Sequence, residues 1–164
     1  MGKKWGLWYR RVSGQVKDYP GAVVGRVLRV YDGDTLAIRT VNGVVVVRLA
    51  YMDAPEHGQG GFSEARAALR AAVWGREISA RVLGVDRYGR AVAVVSTATA
   101  ADVGLQLVAA GLAWWYRQTG GAHLGYRDAE LVARRRGIGL WSVAGAIPPW
   151  CFRVRVNKRP KGGA

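Results

Sequence analysis

Residues 34–49 read Asp-Thr-Leu-Ala-Ile-Arg-Thr-Val-Asn-Gly-Val-Val-Val-Val-Arg-Leu, two runs rich in β-branched side chains that meet at Asn42-Gly43. Asn and Gly both tolerate positive φ, so the stretch predicts a β-hairpin closed by a type I′ turn, with strands over 34–41 and 44–49. Upstream, Val23 to Tyr31 has the same β-branched character and predicts an antiparallel strand ahead of the hairpin. Downstream the period changes. Ala65, Leu69, Ala72 and Val73 recur at helical spacing between Phe62 and Trp74, with Ser63 placed to cap the start and Gly75 to close the end. Glu77 to Gly84 and Arg90 to Ser96 return to strand character, joined by Val85-Asp86-Arg87-Tyr88-Gly89. Two further helices are expected, over 101–110 ending at Gly111 and over 126–136 stopping at Gly137.

The order is three strands, a helix, two strands and two helices. That is the order of an α+β, OB-fold-like five-stranded β-barrel with three helices. The 164 residues and 17.8 kDa suit one domain with a core of its own, and a chain that is 50% hydrophobic is not a disordered one. The expected organisation is a basic, aromatic N-terminal arm over 1–22, the barrel domain over 23–150 and a basic tail over 151–164. Trp5, Trp8 and Tyr9 in the arm either stack on bases or dock the arm on the body. The only cysteine, Cys151, excludes an intrachain disulfide. The basic start has no sustained apolar stretch, so it does not read as a signal peptide. An intracellular protein and an exported one whose signal was removed both stay open. No run approaches the length that spans a bilayer, and no membrane association is expected.

Twenty-five Lys plus Arg against 11 Asp plus Glu give a net charge of +14, which favours a polyanionic partner, above all nucleic acid. The basic residues crowd the two ends, whereas Asp32, Asp34, Asp53 and Glu56 gather inside one short part of the barrel. Carboxylates gathered in a basic protein call for a cation. Asp32-Gly33-Asp34-Thr35 read alone is a turn; Arg48 with the loop Asp53-Ala54-Pro55-Glu56 read alone is a surface ion pair. Together they offer hard oxygen donors, Asp34 and Asp53, of the type that Ca²⁺ prefers. His57 and His123 stand apart and Cys151 is single, so no zinc set is visible. His57 is read as a loop residue rather than a base. Arg48 and Arg90 supply planar guanidinium groups that match phosphate oxygens, and a carboxylate can orient water. Phosphodiester cleavage needs those groups together.

Asp32-Gly33-Asp34-Thr35, Arg48-Leu49 with Asp53-Ala54-Pro55-Glu56, Asp86-Arg87-Tyr88-Gly89-Arg90, Gly111-Leu112-Ala113 and Gly139-Leu140-Trp141 closely resemble the staphylococcal nuclease (thermonuclease) family in order and spacing, over about residues 23–150. The resemblance implies a calcium-dependent endonuclease acting on DNA, RNA or both, and leaving 3′-phosphate and 5′-hydroxyl ends. One Ca²⁺ would be held by Asp34, Asp53 and the backbone carbonyl of Ala54. Glu56 would activate water, and Arg48 and Arg90 would bind the scissile phosphate. Arg87, Tyr88 and Tyr116 would contact the rest of the nucleotide. Single strands should be favoured; no protein partner is evident and a monomer is expected.

Two positions depart from the family pattern. Ala54 stands where threonine is frequent, which a carbonyl ligand survives, and Trp114-Trp115-Tyr116-Arg117 replaces a tyrosine-rich stretch, with Trp114 and Trp115 read as packing residues. The alternative is a non-catalytic nuclease-like module that binds nucleic acid; such modules lose the acids or arginines retained here. The tail over 151–164 is expected to add only non-specific phosphate contacts.

Overall fold

A computed structural model describes residues 21–116 and 124–158. Five strands form a closed barrel in the order β1-β2-β3-β6-β5: β1 is Ala22–Val30, β2 Thr35–Thr40, β3 Gly43–Leu49, β5 Glu77–Val85 and β6 Ala91–Ser96. All neighbours are antiparallel except β3 and β6, whose parallel pairing (Val47↔Ala91, Arg48↔Val92, Leu49↔Ala93) shuts the barrel. The expected OB-like, α+β fold is therefore present. β1 pairs with β2 on one edge and β5 on the other, and its register slips between Val27 and Arg29, a bulge that bends the strand around the barrel.

Alternation decides what faces in. On β3, Val45, Val47 and Leu49 are buried in the core while Arg48 points the other way; on β6 the inward set is Ala91, Ala93 and Val95. Helix α1, Phe62–Val73, buries Ala65, Leu69 and Val73 at i, i+4 and i+8. Leu69 has no exposed surface, and a side chain of that size contributes about 1.5–3 kcal/mol by leaving water.

Among the described residues the α-helices number four rather than the expected three: after α1 come α2 (Val103–Ala109), α3 (Leu124–Arg136) and α4 (Pro149–Lys158), with a 3₁₀ turn at Gly139–Ser142. Helix α4 occupies sequence expected to be tail. Its basic character hides a helix that begins at Pro149, proline being well suited to a first helical position. Two local expectations are also corrected. The α1 start is Gly61, with no side-chain cap, so Ser63 lies inside the helix. In the hairpin, Gly43 takes positive φ (121°) but Asn42 does not, so the turn is not type I′; Thr40 pairs with Gly43 across Val41-Asn42. Of the arm expected over 1–22, all but the last two residues lie outside the described residues.

Two short strands, β4 (Met52–Asp53) and β7 (Trp114–Trp115), form a separate ribbon that pairs Asp53 with Trp114. Trp114 is buried edge-on against Trp141 at 5.3 Å, consistent with its reading as a packing residue. Leu140 N–H donates to Gly111 O at 2.8 Å, and a side chain on Gly139 would strike the Gly111 backbone. The two glycine-leucine motifs thus fasten β7, and β7 fastens Asp53.

Candidate nuclease site

The turn before β2 is built by its own carboxylates. Asp32 Oδ1 accepts from Asp34 N–H at 3.0 Å, and Tyr31 N–H donates to Thr35 O at 2.9 Å. Gly33 is required by space: a Cβ there would stand 2.7 Å from the Cβ atoms of both Ala54 and Ala65. Only a bare backbone lets the turn sit on the Asp53–Ala54 segment, where Ala54 N–H donates to Asp34 Oδ2 at 3.2 Å. Asp32-Gly33-Asp34-Thr35 is therefore a turn, and it seats Asp34 against the Asp53–Ala54 segment.

Arg48 lies between two acids, with Nη1 2.5 Å from Asp34 Oδ2 and Nη2 2.9 Å from Asp53 Oδ1. Between Arg48 and Asp53 the chain turns through Tyr51, the one non-glycine described residue at positive φ (63°). That conformation costs about 1–3 kcal/mol, and the surrounding packing must hold it. Tyr51 O accepts from Tyr116 N–H at 2.8 Å, which fixes the start of β4 and with it Asp53.

Arg90 arrives from the β5–β6 turn. Asp86 Oδ1 accepts from Tyr88 N–H and Arg90 N–H, and Asp86 Oδ2 accepts from Arg90 Nε at 2.7 Å. Arg90 Nη1 donates to Thr35 Oγ1 at 3.4 Å, and that hydroxyl donates to Asp34 Oδ1 at 2.7 Å. On the exposed side of the turn, Tyr88 is half exposed, takes a hydrogen bond from Arg87 Nη2 at 2.7 Å and lies under the Arg87 and Arg90 guanidinium groups.

A third arginine completes the cluster. Arg153, from α4, donates through Nη2 to Asp53 Oδ2 and through Nη1 to Glu56 Oε1, both at 2.7 Å. The expectation that residues beyond 150 only add non-specific charge is therefore corrected. Glu56 sits at the rim with its side chain about a quarter exposed, and its N–H donates to Gln59 Oε1 at 3.0 Å. The result is one continuous network: Arg90, Thr35, Asp34, Arg48, Asp53, Arg153, Glu56.

Its electrostatics follow from burial. Asp53 is 1% exposed; burial pushes its carboxyl up against the pull of Arg153, the Asp34 charge adds to the rise, and Arg48 opposes it. Burial works to raise Asp34 too. There the Arg48 guanidinium, the Thr35 hydroxyl and the Ala54 N–H prevail and hold it well below the usual carboxylate range. Asp32 is pushed up to about 8 by burial and by the Asp34 charge. Asp34 and Asp53 raise Arg48 against the effect of its burial.

The chemistry of this donor set fits a hard divalent cation. The acids are oxygen donors, two of them buried, and Asp32 and Asp34 repel each other. The oxygens of Asp34, Asp53 and Glu56 are shared with guanidinium groups, and no group of three or more His, Cys, Asp or Glu side chains is gathered as a metal cluster among the described residues. His57 packs its ring on Phe62 at 5.3 Å, as expected of a loop residue. Tyr116 contacts the Trp150 ring at 5.8 Å, on the α4 side of the site. The structure thus brings Asp34, Arg48, Asp53, Ala54, Glu56 and Arg90 together and sets Arg87 and Tyr88 on the exposed turn beside Arg90. Sequence reasoning assigned no role to Thr35, Asp86 or Arg153. The first two lie inside quoted motifs and could have been found there; Arg153 left no local signal.

The chain that folds into this closed five-stranded barrel matches a known family. Residues 46–143 match the family described as staphylococcal nuclease homologue. A micrococcal nuclease of Shigella flexneri is 36% identical over 138 residues, covering 79% of each chain. An uncharacterized endonuclease of Escherichia coli is 34% identical over 137 residues, covering 80% of this chain and 85% of that one. Protein ParB of Escherichia coli is 34% identical over 152 residues, covering 85% and 84%. The chain belongs to the staphylococcal nuclease homologue family.

Proposed function

We propose that this protein is a nuclease that hydrolyses phosphodiester bonds of DNA, RNA or both with the help of one Ca²⁺. The observation that carries the reading is the Arg90–Thr35–Asp34–Arg48–Asp53 network, which places two guanidinium groups around two buried carboxylates. The named nucleases among its relatives support the same activity.

Asp34, Asp53 and the Ala54 carbonyl would hold the cation, which when bound lowers the pKa of water and neutralises charge on the phosphate. Glu56, partly exposed at the rim, orients the attacking water and accepts its proton at a carboxylate oxygen. Arg48 and Arg90 present N–H groups to the phosphate oxygens as negative charge grows there, and stay charged throughout. Attack on phosphorus with departure of the 5′-oxygen leaves 3′-phosphate and 5′-hydroxyl ends. Arg87, Tyr88 and Tyr116 contact the neighbouring nucleotide, and single strands are cut faster because a small barrel engages one strand more readily than a closed duplex.

Digestion of plasmid DNA and total RNA with Ca²⁺, with Mg²⁺ and with chelator, followed by end-group analysis, tests this. Cleavage with Ca²⁺ that stops with chelator and leaves 5′-hydroxyl ends is expected. Cleavage undiminished by chelator, or 5′-phosphate ends, overturns it.

A further inference from the structure

Helix α4 is attached to the site far more than to the barrel. None of its described residues joins the barrel core, and Val154 and Val156 are half exposed. Its contacts with the rest of the fold converge on the site loop. Trp150 meets the Tyr116 ring, and Gln59, whose side chain also holds Glu56 N–H, donates to Ile147 O just before the helix. Arg153 adds a two-pronged contact to Asp53 and Glu56, with Nη1 also 3.3 Å from Asp53 Oδ1. The matched family region ends at residue 143, so this helix lies beyond it.

The two oxygens of Asp53 are thereby both taken, one by Arg48 and Arg153 together and the other by Arg153. A guanidinium in bidentate contact with a buried carboxylate satisfies the same lone pairs that a hard cation needs. Arg153 and a divalent cation therefore compete for Asp53. Glu56 is restrained by the same side chain, so the group assigned to water activation is engaged whenever the contact is closed.

We infer that Arg153 is a latch: it serves as an internal counter-cation at Asp53 and Glu56, and must withdraw for a divalent cation to bind. This rests on the cation-assisted reading above. Because only the open fraction of molecules can bind, the apparent dissociation constant exceeds the intrinsic one by the inverse of that fraction. Because no described residue of α4 belongs to the barrel core, the helix can shift without disturbing that core.

The test is calorimetric titration of Ca²⁺ into the full chain without nucleic acid. R153Q should bind Ca²⁺ about tenfold more tightly than wild type, as expected if the latch is closed about nine-tenths of the time. R153K keeps a charge but loses the planar fork, and should fall between the two. R155Q removes an equal charge from an exposed position of the same helix and should match wild type. Binding by R153Q with none by wild type also supports the latch. The inference is overturned if R153Q and R153K bind no more tightly than wild type, if R155Q gains as much as R153Q, or if none of the proteins binds Ca²⁺. Failure of the nuclease reading is seen separately, as wild-type cleavage that ignores chelator; an affinity ratio of one with calcium-dependent cleavage overturns the latch alone.

Discussion

Thr35 and Arg90 are 55 positions apart, yet the Thr35 hydroxyl accepts from Arg90 Nη1 at 3.4 Å while donating to Asp34 at 2.7 Å. One buried hydroxyl thus ties an arginine proposed to bind phosphate to a proposed cation ligand. Thr35→Val keeps the shape and removes both bonds. Loss of hydrogen bonds to charged groups of this kind should lower kcat about tenfold with KM little changed. Single-turnover kinetics check it; an unchanged kcat would show that Asp86 alone positions Arg90.

In the proposed reaction, Glu56, Arg48 and Arg90 act on charge and protons that move only in the transition state. Glu56→Gln, Arg48→Ala and Arg90→Ala should each lower kcat by roughly 10²–10⁴. Oligonucleotide binding, measured by fluorescence anisotropy, should survive in all three. Variants that keep full turnover would exclude these residues from the chemistry.

Asp53→Asn and Asp34→Asn should each abolish measurable Ca²⁺ binding, while Ala54→Thr should leave it nearly intact, because the proposed ligand there is a backbone carbonyl. Zn²⁺ should not replace Ca²⁺ in cleavage, since the set lacks imidazole and thiolate donors. Titration of each variant decides this. A large loss in Ala54→Thr would place the wrong atom of residue 54 at the cation.

Gly33→Ala tests the seat of the turn. The added methyl would press on Ala54 and Ala65 together, and overpacking of this kind costs about 1–3 kcal/mol. Urea unfolding should show that loss, and Ca²⁺ affinity should fall with it because Ala54 adjoins Asp53. Unchanged stability would mean that the turn can rise off α1 without penalty.

By itself the sequence determined the five barrel strands, though not β4 and β7, the helices up to residue 136, and the candidate site residues within its motifs. Alternation on β3 and the i, i+4, i+8 spacing on α1 are local records of which face is buried, so they read directly. Asp34, Arg48, Asp53, Glu56 and Arg90 were legible because each sits in a short motif whose residue types match one chemistry. Local reading failed at Ser63, where packing started the helix two residues earlier, and at Asn42, where Gly43 alone supplied the positive φ.

Tertiary structure alone decided who meets whom. The parallel β3–β6 closure, the pairing of Asp53 with Trp114 and the reach of Arg153 to Asp53 across 100 positions depend on how distant segments pack. An arginine in a basic stretch has the same local sequence whether water or a buried carboxylate surrounds it. Burial of the acid, which requires the whole fold, is what makes the difference, because a carboxylate removed from water must find its counter-charge wherever the fold brings one.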